Sequence, residues 1–243
     1  MATEKRIALL IDCDNASHNA IEGVLEELAN YGTVNVRHAH GDWKSPGLSG
    51  WVEKLHPNAI RPLQQFAYTR GKNATDAAMI IDAMDLLYSG SVDAFALMTS
   101  DSDFTPLALR LLESGFPVYG FGEEKTPAPF VDACSPFIFT EKLVASSHQD
   151  PDTGSSSGKL TRKDLRMDTR LVQLLRTAVE QTSEDDGWAN LGRVGSYLSK
   201  YSSFSPINYG YKKLSELVIE SDLFKVRMPE NGSAMYIRDS RKK

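Results

Sequence analysis

The chain has 243 residues, 41% hydrophobic and 24% charged, the balance of an ordinary soluble protein with one large or two modest domains. No apolar run approaches the ~18–20 residues that span a bilayer. The short run Ile7-Ala8-Leu9-Leu10-Ile11 ends in Asp12 with no export cleavage pattern behind it; with only two cysteines, Cys13 and Cys134, neither a membrane protein nor a secreted disulfide scaffold is expected, and a reducing cytoplasm is. The net charge of −5 hides an asymmetry. Residues 1–145 carry 11 Lys and Arg against 19 Asp and Glu, a net of −8, whereas residues 146–243 carry 16 against 13, a net of +3. An acidic half suits metal ions and a basic half suits phosphates.

In chain order, residues 6–11 read as a buried strand. Residues 17–30 have helical spacing in Ile21, Leu25 and Leu28, with Gly32 as a stop. Strands follow at 33–39, at 63–68 more weakly, at 92–98 and at 117–121. Helices are expected at 73–88, with Ile80, Ala83, Met84 and Leu87 on one stripe, and at 103–113. Alternating strands and helices imply a parallel sheet covered on both faces, with its site at the carboxyl ends of strands. Trp43 to Gly50 reads as a surface loop with a potential RNA contact, and Gly120-x-Gly122, lacking a third glycine, as a loop rather than a dinucleotide fingerprint. The stretch 146–160, rich in Ser, Gly, Asp and Pro, reads as a flexible linker between a domain at 1–145 and a second at 161–243.

Two strands of the first half run into acid, at Asp12-Cys13-Asp14-Asn15 and at Thr99-Ser100-Asp101-Ser102-Asp103-Phe104, and Asp76 lies in the first turn of a helix. Carboxylates gathered at one sheet edge repel one another unless neutralised, and Mg²⁺ or Mn²⁺ is the natural counter-charge for oxygen ligands. Helix capping by Asp103 is the simpler alternative for that residue. Asp85 is expected on the surface, and Asp82 stays open. His38 and His40 share a strand face, but no partner pair has zinc-site spacing. Cys13 has no sequence-paired His, which argues against a thiol nucleophile.

The set Leu10-Ile11-Asp12-x-x-Asn15, Lys72-x-x-x-Asp76 with Asp82, Thr99-Ser100-Asp101-Ser102-Asp103-Phe104 and Gly115-Phe116-Pro117-Val118 resembles the NYN domain of PIN-like ribonucleases, over roughly residues 5–142. The resemblance implies a PIN-like (Rossmann-like) α/β fold and an RNA-cutting site in which Asp12, Asp76, Asp101 and Asp103 bind Mg²⁺ or Mn²⁺. Asn15 would then orient a carboxylate, water or phosphate, Thr99 and Ser100 would bond phosphate or water, and Lys72 would meet the substrate.

The second half reads as helices at 170–181, 189–200 and 209–221, then a β-ribbon (223–228 and 234–238) around an Asn231-Gly232 turn. Three helices and a wing make a winged-helix module. Leu171-x-x-Leu174-Leu175, Asp186-Gly187-Trp188-Ala189, Gly195, Phe204 and Tyr209-Gly210-Tyr211-Lys212-Lys213-Leu214 resemble the OST-HTH/LOTUS domain, which implies RNA binding or, in some members, docking to a helicase partner. Lys212, Lys213, Arg193 and Lys200 are candidates to follow a phosphate backbone. Tyr209 or Tyr211 would stack on bases, and the competing expectation puts Trp188, Phe204 and one tyrosine in the core. The basic end, Arg238-x-x-Arg241-Lys242-Lys243, would add nonspecific electrostatic affinity. Two alternatives to the ribonuclease stay open at this point. One is an RNA-binding adaptor that cuts nothing. The other is a Rossmann-like phosphatase built on Asp12-x-Asp14.

Overall fold

In the computed structural model, which describes residues 4–66, 74–147, 159–228 and 234–241, the first apolar run becomes β1 (Arg6–Asp12). Every side chain from Ile7 to Ile11 is fully buried, as a central parallel strand covered on both faces requires. A 3₁₀ turn and α1 (Ile21–Leu28) lead to β2 (Thr33–Gly41), α2 (Ser49–Leu55) and β3 (Arg61–Gln64). Then come α3 (Ala74–Ser89), β4 (Ala94–Met98), α4 (Thr105–Glu113) and β5 (Val118–Gly122). The unit closes with α5 (Ala128–Asp132), β6 (Phe137–Phe139) and α6 (Thr140–Ser147). All paired strands run parallel, in the order β3-β2-β1-β4-β5-β6. The order reverses between β1 and β4, and the crevice at such a point lies beyond the strands' carboxyl ends.

Several local expectations are corrected. The segment 43–50 is only partly a loop: a 3₁₀ turn at Pro46–Leu48 feeds α2, and Leu48 and Trp51 are buried. Gly120 and Gly122 lie inside β5. A Cβ at Gly120 would overlap the Phe137 ring, and one at Gly122 would come 2.6 Å from the Thr99 carbonyl oxygen. These glycines let neighbouring chain pack against β5; they serve no nucleotide loop. In α3 the buried stripe is Met79, Ala83 and Leu87, one residue out of phase with the expected one at its start, and Ile80 faces outward. The third strand ends at Gln64, and residues 65–66 lie outside it; the rest of the expected strand, 67–68, falls outside the described residues. Residues 146–147, expected to open the linker, end α6; residues 148–158 are outside the description.

The chain divides into two units, Met1–Gln149 and Asp150–Lys243. The second begins with α7 (Arg162–Met167), started by a capping box between Thr161 and Asp164. It continues through α8 (Thr169–Thr182), β7 (Ala189–Asn190), α9 (Leu191–Tyr201), α10 (Leu214–Ser221), β8 (Phe224–Arg227) and β9 (Tyr236–Asp239). The three strands form an antiparallel sheet in the order β7-β9-β8, which with the helices makes a winged-helix module. The third expected helix is shorter than 209–221, because Gly210 takes a left-handed conformation (φ 83°) after a 3₁₀ turn and helix resumes only at Leu214. The Asn231-Gly232 turn lies outside the described residues. Among the described residues no helix is long and apolar enough to cross a membrane.

Candidate functional site

The acids converge where the sheet order reverses. Asp12 ends β1 and is fully buried. Its Oδ2 accepts hydrogen bonds from Thr99 Oγ1 at 2.8 Å and Asn15 Nδ2 at 3.0 Å, and its Oδ1 accepts from the Asp14 N–H at 3.2 Å. Burial raises the Asp12 carboxyl above the usual range; the Thr99 and Asn15 bonds oppose the shift and Asp14 adds to it. Thr99 follows β4, so its bond ties the ends of the two central strands together. Its hydroxyl also accepts from the Asp101 N–H at 3.1 Å.

Above Asp12 stand Asp101, half-buried, and Asp103, exposed. The Asp101 side chain caps the 3₁₀ turn Ser102–Phe104 by accepting from the Asp103 N–H at 2.8 Å. The cap expected from Asp103 on the following helix is not made: α4 has Phe104 at its N-cap and no side-chain cap bond. Asp76 reaches the cluster from the first turn of α3. Burial, then the charges of Asp12, Asp101, Asp103 and Asp14, push its carboxyl up to about 6. A groove of about 580 Å³ opens beside it, lined by Asp76, Ala77, Ile80, Ser102, Asp103, Thr105 and Pro106. Ile80, outward by its phase on α3, supplies an apolar wall beside the acids. Asp14 also belongs to the cluster, and its Oδ2 accepts from Thr75 Oγ1 at 3.0 Å. The Asp-x-Asp spacing at a strand end was the available signal for it.

The crowding has a consequence for stability. Asp76 holds its proton more tightly folded than unfolded, so folding gains stability as pH falls from about 6 toward 4 and loses it as pH rises. Asp76→Asn is expected to stabilise the ion-free chain above pH 7 by roughly 1 kcal/mol after solvent screening. The gain should vanish near pH 4, as read from urea unfolding across pH with a chelator present. Equal stability of the two chains at pH 8 would mean that neither burial nor the neighbouring acids penalise the Asp76 carboxylate.

The remaining expected site residues are placed as follows. Thr99 is fully buried and holds Asp12, which leaves it no open face toward phosphate. Ser100 joins two loops, its N–H donating to the Asn15 carbonyl at 3.2 Å and its Oγ accepting from the Glu123 N–H at 2.9 Å. Asn15 holds a carboxylate, one of the roles open to it. Lys72 lies outside the described residues. Cys13 is buried, and burial next to Asp12 and Asp14 drives its thiol far above the usual range, where no thiolate nucleophile forms. His38 Nδ1 and His40 Nε2 both donate to Asp82 Oδ2, at 2.7 and 3.0 Å. Burial opposes ionisation of Asp82, but these two bonds outweigh it and hold the carboxyl well below the usual range. Asp82 thus fastens α3 to β2.

Residues 6–143 match the NYN domain, more than half of the chain. The chain belongs to the NYN family. Residues 166–236 of this NYN protein also match the OST-HTH/LOTUS domain. The NYN domain has a PIN-like, nuclease-type fold, and OST-HTH/LOTUS domains bind RNA. No curated protein matches the chain. Among solved structures, it is similar to a protein of unknown function from Vibrio parahaemolyticus at 16% identity and a TM-score of 0.47, over 57% of this chain and 94% of that one. An uncharacterized protein from Nitrosomonas europaea shares 34% identity over 39% of this chain and 88% of that one, with a TM-score of 0.28. The WlbA dehydrogenase from Bordetella pertussis, in complex with NADH and UDP-GlcNAcA, shares 15% over 74% of this chain and 41% of that one, with a TM-score of 0.32.

In the OST-HTH/LOTUS unit of the NYN protein, Lys212 and Lys213 are exposed in the loop entering α10 rather than on a helix. Tyr211 is buried, its hydroxyl donating to the Leu160 carbonyl, and so cannot stack on a base. Tyr209 packs on Phe204, with ring centres 5.8 Å apart, and both rest against the core. Trp188 departs from the core expectation. It stands outside the apolar cluster, beside Arg227 and Arg238.

Proposed function

We propose that this NYN protein is an endoribonuclease that cuts single-stranded RNA with Mg²⁺ or Mn²⁺, and that its OST-HTH/LOTUS unit presents the RNA. The observation that carries the reading is the placement of Asp12 at the end of β1, Asp76 in the first turn of α3, and Asp101 with Asp103 just beyond β4, where the sheet order reverses; burial, and then the charges of these neighbours, push Asp76 up to about 6. Repulsion among such carboxylates destabilises the ion-free fold, and a bound cation would offset it.

The donor set is all oxygen, which suits a hard divalent ion. Among the described residues no three His, Cys, Asp or Glu side chains close around a single ion position. Mg²⁺ takes oxygen ligands and keeps several of its waters, so a site for it needs only one or two carboxylates. Asp76, Asp101 and Asp103 present the solvent-facing carboxylates, while buried Asp12 adds its charge from beneath. A bound ion would supply Lewis-acid charge to a phosphodiester and acidify water. Thr99 and Asn15 fix Asp12, and Asp101 fixes the turn that carries Asp103. The groove along Ile80 and Pro106 gives a base or ribose an apolar wall.

The phosphatase reading needs Asp12 as an accessible nucleophile. Full burial and three donors on its oxygens oppose that role. The experiment is a parallel assay of labelled single-stranded RNA and para-nitrophenyl phosphate with Mg²⁺ or Mn²⁺. Internal cleavage of RNA with no release of nitrophenol is the expected result. Nitrophenol release lost equally in Asp12→Asn and Asp14→Asn would establish the phosphatase instead. Tight RNA binding with no cutting under any divalent ion would establish the adaptor.

A further inference from the structure

Alternation along the second unit's sheet separates two faces. Ala189, Phe224, Ile237 and Asp239 point inward and are buried. On the other face the register sets Arg227 opposite Tyr236 and Lys225 opposite Arg238. Asn190 is also opposite Tyr236, so Trp188, two residues earlier, falls beside Arg238. Directly opposed residues share a face. The outer face therefore collects Trp188, Lys225, Arg227, Tyr236 and Arg238. The two arginines already lie over the rings. The Arg227 guanidinium carbon lies 4.5 Å from the Trp188 ring centre and 5.6 Å from that of Tyr236, and the Arg238 carbon lies 5.2 Å from Trp188.

Much of the unit's arginine charge is paired. Arg162 and Arg166 pair with Asp222, Arg176 and Arg241 with Asp239, and Arg193 with Glu184. Among the described residues Lys225, Arg227 and Arg238 meet no carboxylate, and the buried Arg238 Nε has no acceptor. Three cations without a carboxylate partner, two of them lying over aromatic rings, suit a ligand that is anionic and planar at once. A nucleic-acid strand is both: its bases extend a π-stack whatever their sequence, and its phosphates take the guanidinium fork in two parallel hydrogen bonds. An acidic peptide would satisfy the charge but not the stack.

We propose that the outer face of β7-β9-β8 is where the unit binds single-stranded RNA, with Trp188 and Tyr236 as stacking platforms and Lys225, Arg227 and Arg238 on the phosphates. This rests on the RNA reading above and moves the contact from Lys212 and Lys213, which stack on no ring, to the wing. Neither lysine is required by it.

The test is fluorescence anisotropy of the full chain with a labelled single-stranded oligoribonucleotide, in chelator to prevent cutting, at salt from about 50 to 200 mM. Arg227→Ala with Arg238→Ala should weaken binding at least about tenfold and flatten the salt slope by about 1.4, because two phosphates are no longer neutralised. Arg227→Lys with Arg238→Lys keeps the charges and the surface fold. It should hold the slope while losing affinity about threefold or more, because an ammonium does not present a stacking plane. Trp188→Ala should weaken binding about tenfold. Lys212→Ala with Lys213→Ala should change it less than the arginine pair. If the parent chain binds RNA and the arginine and Trp188 variants bind equally well, the face is wrong and the RNA reading stands. If the parent chain binds no RNA at any salt, the RNA reading of this unit fails, and the face fails with it.

Discussion

Asp101→Asn combined with Asp103→Asn should lower RNA cleavage by about a thousandfold or more while leaving the fold in place. The size follows from what carboxylates at such a cluster supply: losing ion-borne charge stabilisation of several kcal/mol at the phosphate slows the reaction by three or more powers of ten. The fold should survive, because the structural duty of Asp101 is to accept the Asp103 N–H through Oδ1, and Asn keeps that oxygen. Asp12 makes a useful contrast. Asp12→Asn replaces one carboxylate oxygen by an amide and disturbs the bonds from Thr99 Oγ1 and Asn15 Nδ2, so its effect on cleavage would mix charge with geometry. The double variant separates the two. Cleavage rates are to be compared alongside urea midpoints. Unfolding of the variant would assign these acids a structural role, and parent-like cleavage by a folded variant would remove them from the chemistry.

Phe137→Ala should destabilise the first unit by about 3–5 kcal/mol, the range for emptying a fully buried aromatic site. Phe137 is completely buried, with its ring centre 5.9 Å from that of Phe130 and 5.6 Å from that of Phe139, and it lies over the space left by Gly120. Gly120 cannot be refilled by the strand itself, so a cavity would persist. Urea unfolding gives the measurement. A loss below about 1 kcal/mol would mean that β6 is not seated against β5.

The unequal legibility of these features has a physical basis. β1, β4 and α4 were readable because long apolar runs or helical stripes repeat over enough residues for burial to leave a pattern. β6 escaped notice because Phe137–Phe139 is three residues long after a proline, and its place depends on pairing with β5. Gly120 and Gly122 read as a loop because a glycine in sequence looks the same whether it bends the chain or admits a neighbour. At the site, the acids were visible as residues that end strands. The burial of Asp12 and the duty of Thr99 were not, since both depend on which strands become neighbours. The same holds for the wing: Trp188, Arg227 and Arg238 are far apart in sequence, and only the strand register brings them together. Sequence reasoning instead favoured Lys212 and Lys213, whose adjacency made them conspicuous.

Action of the acid cluster through a divalent ion is the step on which the proposed activity depends. It is tested most directly by following labelled single-stranded RNA with the purified full chain after exhaustive chelation, then on adding back Mg²⁺ or Mn²⁺. No internal cleavage is expected in chelator, with cleavage restored by the ion and no restoration in the Asp101→Asn, Asp103→Asn chain. Cleavage by the parent chain that proceeds undiminished in chelator would contradict it.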